Sequence, residues 1–108
     1  MAPEPLSQKE IEDRLAELPG WAVRDEERIT RTYTFDKHLP AAVMLLHIAQ
    51  IQDELGHHAD LSLSYDQLTV SVNTHSVGNA VTDLDFELAR RVEAIAPGHG
   101  ARTAGADR

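Results

Sequence analysis

Six histidines occur in this chain of 108 residues, and three of them stand where two kinds of sequence pattern meet. His57 and His58 are adjacent at the point where helical spacing gives way to strict alternation, and His75 follows the end of the alternating stretch. Imidazole has an ordinary pKa of about 6.5, so such a group can take and return protons near neutral pH. Two acidic residues are placed to work with it. Asp53 precedes His57 by four residues and would share its helix face if the helix ran on through Gly56, so that its carboxylate could orient the ring. Asp85 comes ten residues after His75, at the third position of an expected helix. Against this stands a plainer reading, in which a His-His pair at a helix end is a solvated cation favoured by the helix dipole. Zinc is a further alternative, since three histidines with Asp53 or Asp85 make a suitable nitrogen and oxygen donor set. Adjacent histidines rarely ligate one ion together, however, and no H-x-x-x-H pair is present, so no metal is expected. His38, His47 and His99 fall outside the group and read as surface or partly buried side chains.

The elements that must position these residues are legible as periodicities. Ser7 followed by Glu10 is a capping box, and Ile11, Leu15 and Leu18 lead up to Pro19-Gly20, so residues 7–18 are an expected first helix. Trp21 and Val23, then Ile29, Tyr33 and Phe35 beyond Asp25-Glu26-Glu27, suggest a first hairpin. From Asp36 onward Val43, Met44, His47, Ile48, Ile51 and Leu55 recur three and four apart, which predicts a long second helix closed by Gly56 as a left-handed cap. Leu61, Leu63 and Tyr65, then Leu68, Val70 and Val72, alternate strictly and predict a second hairpin. Thr82 with Asp85 is an acidic capping box that opens a stripe of Phe86, Leu88, Ala89, Val92 and Ile95 ending at Pro97-Gly98. The order α-β-β-α-β-β-α describes an α+β fold with a four-stranded antiparallel sheet covered by helices on one face. Residues 1–98 are expected to form one domain and 99–108 a mobile tail.

The hairpin carries a geometric expectation. A two-residue turn at Asp66-Gln67 would set Leu61 opposite Val72, Leu63 opposite Val70 and His58 opposite His75, close enough to face one small ligand together. Alternation then puts His58 and His75 on the polar face with Ser62, Ser64, Ser71 and Asn73. Either the site lies on that face, or the strand ends bend and the histidines gather beyond the edge of the sheet.

Composition excludes several functions. Ten Lys and Arg against 18 Asp and Glu give a net charge of −8, which disfavours direct nucleic-acid binding. The apolar share of 42% and charged share of 26% are those of a globular protein. There is no cysteine, hence no disulfide or thiolate chemistry, and a reducing cytoplasm is the natural setting. No signal peptide pattern opens the chain, and its longest apolar run, Ala41 to Leu46, is far short of a membrane span.

At the histidines the sequence resembles the pterin-4a-carbinolamine dehydratases. That family has an acidic or similar residue, three spacers, His-His-Pro, an aromatic, a third His ten residues later, and then Asp. Here the pattern reads Asp53, Glu54-Leu55-Gly56, His57-His58-Ala59, Tyr65, His75 and Asp85. Pro19-Gly20-Trp21, Asn73-Thr74-His75 and Thr82-Asp83-Leu84-Asp85 are similar too, so that the likeness runs from about residue 7 to 96. It implies dehydration of 4a-hydroxytetrahydropterin to quinonoid dihydropterin without cofactor or metal, the recycling step that follows an aromatic amino-acid hydroxylase. His57, His58, His75 and Asp85 would be catalytic, with His57 and His75 as acid and base and His58 holding the ring. Asp53 and Asp85 would orient or polarise the histidines, and Trp21, Ala59, Thr74 and Ser76 would line the substrate. The family also implies a homodimer or homotetramer and a hydroxylase as pathway partner. Ala59 stands where Pro is usual and Leu61 where Trp is common. If the missing ring only loosens the His-His segment, Ala59→Pro should leave activity equal or improved. The alternative function is that of a noncatalytic dimerisation or assembly partner of the same fold.

Overall fold

The period-two segments pair as antiparallel strands, and the period-3.6 segments pack across one face of them. In a computed structural model describing residues 3–24 and 27–102, helix α1 spans Gln8–Leu15, β1 Ala22–Arg24, β2 Arg28–Thr34, α2 His38–Leu55, β3 Asp60–Ser64, β4 Gln67–Val72 and α3 Asp83–Ile95. Turns of 3-10 helix follow β4 at His75–Val77 and α3 at Pro97–His99. The sheet order is β1-β2-β4-β3, so the expected α+β architecture is the one observed. The loop positions Asp25 and Glu26 lie outside the described residues.

Alternation decides which face is buried. Ile29, Arg31 and Tyr33 of β2 and Leu68, Val70 and Val72 of β4 face α2 and α3, while Thr30, Thr32, Thr69 and Ser71 form a hydroxyl ladder on the open face. Met44, Ile48 and Ile51 of α2 meet Phe86, Leu88 and Val92 of α3 in the same core. Full burial of one such side chain stabilises the fold by roughly 1.5–3 kcal/mol. Helix α1 contributes less: none of its residues is fully buried, and its attachment includes Leu6 N–H to the Val81 carbonyl and an Arg14–Asp83 ion pair of 2.9 Å.

Two expectations are corrected here. The second hairpin turns at Tyr65-Asp66, with Ser64 opposite Gln67, Leu63 opposite Leu68 and Leu61 opposite Val70. Asp66-Gln67 is therefore not the turn, and His58 is not set opposite His75. A slip of two residues keeps every side chain on its face, so the apolar pattern fits both registers equally. Local contacts favour the observed one. Tyr65 takes φ 51, its carbonyl accepts from His38 Nδ1 at 2.6 Å, the two rings stack, and Phe35 N–H donates to the Asp66 carbonyl. The second correction concerns the tail. His99 contacts His47 of α2 at 2.8 Å and Arg102 N–H donates to the Thr34 carbonyl at 2.9 Å, so residues 99–102 are docked on the domain, and 103–108 lie outside the described residues.

Candidate active site

The helix cap separates the two adjacent histidines. Gly56 adopts φ 65 and ψ 30, ending α2 in the left-handed conformation that glycine tolerates without a Cβ clash. The chain therefore leaves the helix before His57, and Asp53 does not share a face with that ring. Asp53 Oδ1 instead lies 3.1 Å from His58 Nε2, with the two side chains 81% and 60% exposed. An ion pair so open to water is worth at most about 1 kcal/mol.

His57 turns the other way, into the protein. Its Nε2 lies 2.6 Å from Oδ1 of Asp85, with the imidazole 10% exposed and the carboxylate fully buried. Asp85 is held by the start of α3. Thr82 is the N-cap, and its backbone N–H donates to Asp85 Oδ2 at 2.8 Å. The Thr74 hydroxyl donates to the same oxygen at 3.0 Å and lies 2.8 Å from the Thr82 hydroxyl. Oδ2 is thus supplied by two donors while Oδ1 is left to the imidazole. With His57 Nε2–H donating to the carboxylate, Nδ1 is the ring atom left to accept or pass on a proton.

The other expected residues fall into two groups. His75 is the exposed first residue of the turn after β4, next in sequence to Thr74, and its ring has no hydrogen bond or ion pair among the described residues. Ser76 is exposed beside it, and Ala59 is half-buried after the histidine pair. Both His57-His58 and His75 therefore lie beyond strand ends, and not on the polar sheet face. Thr74 differs from its expected role. Its hydroxyl serves Asp85, its N–H donates to the Ala80 carbonyl, and only 3% of it is exposed, so its side chain supports the carboxylate and does not line an open surface.

Trp21 is set apart from the histidines. It is 5% exposed and enters the edge strand β1, whereas His57 and His58 lead into β3 at the opposite edge. Its Nε1 donates to Glu93 Oε1 at 3.0 Å, and its ring meets Tyr33 edge-on. A cavity of about 780 Å³ between α1 and β1 touches Trp21 and also lies away from the histidine turn. The chemistry, and not this cavity, marks the candidate site. Among the described residues no three His, Asp or Glu side chains converge as a metal ion would require.

Sequence reasoning passed over Gln52. It sits four residues after Ile48 on the buried stripe of α2, and a polar side chain in an apolar stripe was the available signal. Its Oε1 accepts from the Ala59 N–H at 2.8 Å.

With this geometry established, the comparisons are specific. The sequence model of the pterin 4 alpha carbinolamine dehydratase family matches residues 4–95, and the chain belongs to that family. Proteins of Streptomyces avermitilis and Streptomyces coelicolor, each named "Putative pterin-4-alpha-carbinolamine dehydratase", are 66% and 55% identical over 101 residues, covering 94% of this chain and 99% of theirs. A crystal structure of a transcriptional coactivator/pterin dehydratase from Brucella melitensis superposes with a TM-score of 0.81 at 34% identity, over 86% of this chain and 99% of that one. A pterin dehydratase-like RuBisCO assembly factor of the alpha-carboxysome shares the fold, with a TM-score of 0.61 at 16% identity over 73% of this chain and 92% of its own.

Proposed function

We propose that this protein catalyses the dehydration of a 4a-hydroxytetrahydropterin to the quinonoid dihydropterin and water, with His57 at the centre of the chemistry. The observation that carries the reading is the buried His57–Asp85 couple, whose carboxylate has its second oxygen occupied by Thr74 and Thr82. The reaction breaks the C4a–O bond. A proton must reach the departing oxygen and another must leave the ring N–H, and histidine serves either end near neutral pH. His57 and His75 are the acid and base. His58, exposed and paired only with Asp53, holds and orients the ring. Ala59 and Ser76 flank the two histidine segments and contact the substrate through backbone and small side chains. Family membership and the names of the relatives support the reaction class; the histidine roles rest on the geometry and on proton accounting.

The test is stopped-flow dehydration of 4a-hydroxytetrahydropterin, run with and without a chelator. The expected result is turnover above the uncatalysed rate that survives chelation, with His58→Ala acting chiefly on KM. No turnover above background would favour the noncatalytic partner role, since an assembly factor also uses this fold. Self-association into a homodimer or homotetramer belongs to the same proposal, and light scattering that returned only the monomer mass of 11.9 kDa would oppose it.

A further inference from the structure

We propose that Gln52 is a positioning residue for the histidine turn and does the work that a proline after the histidine pair would otherwise do. The inference rests on the dehydratase reading above for its catalytic consequence, but its structural core is independent of it. Four consecutive residues, Gly56 to Ala59, carry His57 and His58 between α2 and β3. Three of their backbone N–H groups end on one residue. The Gln52 carbonyl accepts from Gly56 as the helix cap and from His57 at 3.1 Å, while the Gln52 side-chain oxygen accepts from Ala59 at 2.8 Å. Gln52 is itself 5% exposed, so its amide is held within the packed side of α2 and is not a mobile surface group.

This arrangement depends on the residue at 59 having an N–H. Proline has none, and its Cδ would take the place of that hydrogen inside a 2.8 Å nitrogen–oxygen gap, closer than van der Waals contact allows. Gln52 with an N–H donor at 59, or proline at 59 with a small residue at 52, are thus two mutually exclusive ways of stiffening the same turn. The expectation that Ala59→Pro alone would be neutral or beneficial is reversed by this geometry, because Gln52 already fills the space the ring needs.

The experiment is a double-mutant cycle of Gln52→Ala and Ala59→Pro, read by kinetics and by amide hydrogen exchange at Ala59. Gln52→Met accompanies it, since methionine keeps the helix and the volume but offers no comparable acceptor. Each of Gln52→Ala, Gln52→Met and Ala59→Pro should lower kcat by about 10- to 100-fold with a smaller change in KM, as expected when reacting groups are misplaced by a fraction of an ångström. The double variant should recover to within about threefold of wild type, a rescue that general destabilisation would not produce. The Ala59 amide should exchange at least about tenfold faster in Gln52→Met than in wild type. The proposal is overturned by equal Ala59 exchange in those two proteins, by unchanged kcat in both Gln52 variants, or by a double variant no faster than its slower parent. If the wild type shows no turnover, the dehydratase reading fails alone, and the Ala59 exchange rate still decides whether the clamp exists.

Discussion

Helix α3 carries two carboxylates that collect buried donors, and their partners make them different in kind. Asp85, in the first turn, accepts from the Thr74 hydroxyl and the Thr82 N–H and presents its free oxygen to His57. Glu93, two turns later, accepts from Trp21 Nε1 at 3.0 Å and Tyr33 OH at 2.6 Å, with Arg31 Nε 3.7 Å away and the guanidinium 4.3 Å over the Tyr33 ring. Each cluster ties distant segments of the chain to α3. Only the first ends in a side chain whose ordinary pKa lies near neutrality. The second is closed by donors that keep their protons. Burial, and then the Glu93 carboxylate, pushes the Tyr33 phenol far above its usual range, and arginine does not titrate. A carboxylate that collects buried donors is therefore no mark of chemistry by itself. Its partner decides.

The largest effect that should separate the two clusters is kinetic. His57→Ala should lower kcat by about 10²- to 10⁴-fold, the usual cost of a lost general acid or base; it also leaves the buried Asp85 Oδ1 without its partner, so a stability loss of roughly 1–3 kcal/mol accompanies the kinetic one. Glu93→Ala should affect stability alone. It leaves the Trp21 and Tyr33 donors without their acceptor, and should cost roughly 1–3 kcal/mol of stability while kcat stays within about twofold. For a domain of this size each 1 kcal/mol lowers the melting temperature by about 4–8 °C, so calorimetry resolves it easily. A Glu93 variant that melted like wild type but turned over poorly would abolish the distinction between the clusters.

A smaller effect tests the closed cluster by titration. A phenol whose folded pKa is raised contributes stability that is intact below its unfolded value of about 10 and is lost as pH rises beyond it. Tyr33 should therefore stay un-ionised in the folded protein at a pH where an ordinary phenol has lost its proton. Ultraviolet titration should show its absorbance change arriving only with alkaline unfolding, whereas its appearance in still-folded protein would show that Glu93 and burial do not hold the proton.

What could be read from the sequence follows the range of the interactions. The caps at Ser7 and Thr82 and the left-handed Gly56 are set by residues within a turn of one another, so spacing reveals them. The helix and strand faces follow from periodicity for the same reason. The hairpin register did not, because period two is blind to a slip of two and because the turn depends on His38, from a different element. Arg31 interrupts the apolar positions of β2 with a charge; its burial depends on Glu93, Tyr33 and the close approach of Gly20, where a Cβ would come within 2.6 Å of Arg31 Nε. At the site, the histidines and Asp85 were legible by residue type. The choice of Asp85 for His57 and Asp53 for His58 was not, because spacing shows the helix closing at Gly56 but not that Asp85, 28 residues further along the chain, packs against the segment that follows.

The smallest predicted effect concerns a pair that sequence spacing leaves unconnected. His47 Nδ1 and His99 Nε2 lie 2.8 Å apart where the segment after α3 crosses α2. One nitrogen must donate and the other accept, so the contact requires at least one neutral ring. Burial, and then the facing His47, lower the pKa of His99 from the ordinary histidine value. A depressed histidine pKa means that the unfolded chain binds protons more readily than the folded one. The contribution of this pair to stability is therefore intact above about pH 6.5, falls as acid takes the solution through that value, and levels off once the depressed folded pKa is passed. Other groups also titrate in this window, so the readout is a difference: the loss in melting temperature between pH 7.5 and pH 5.5 should be smaller in His99→Asn than in wild type. An equal loss in the two proteins would mean that the His47–His99 contact carries no share of the acid sensitivity.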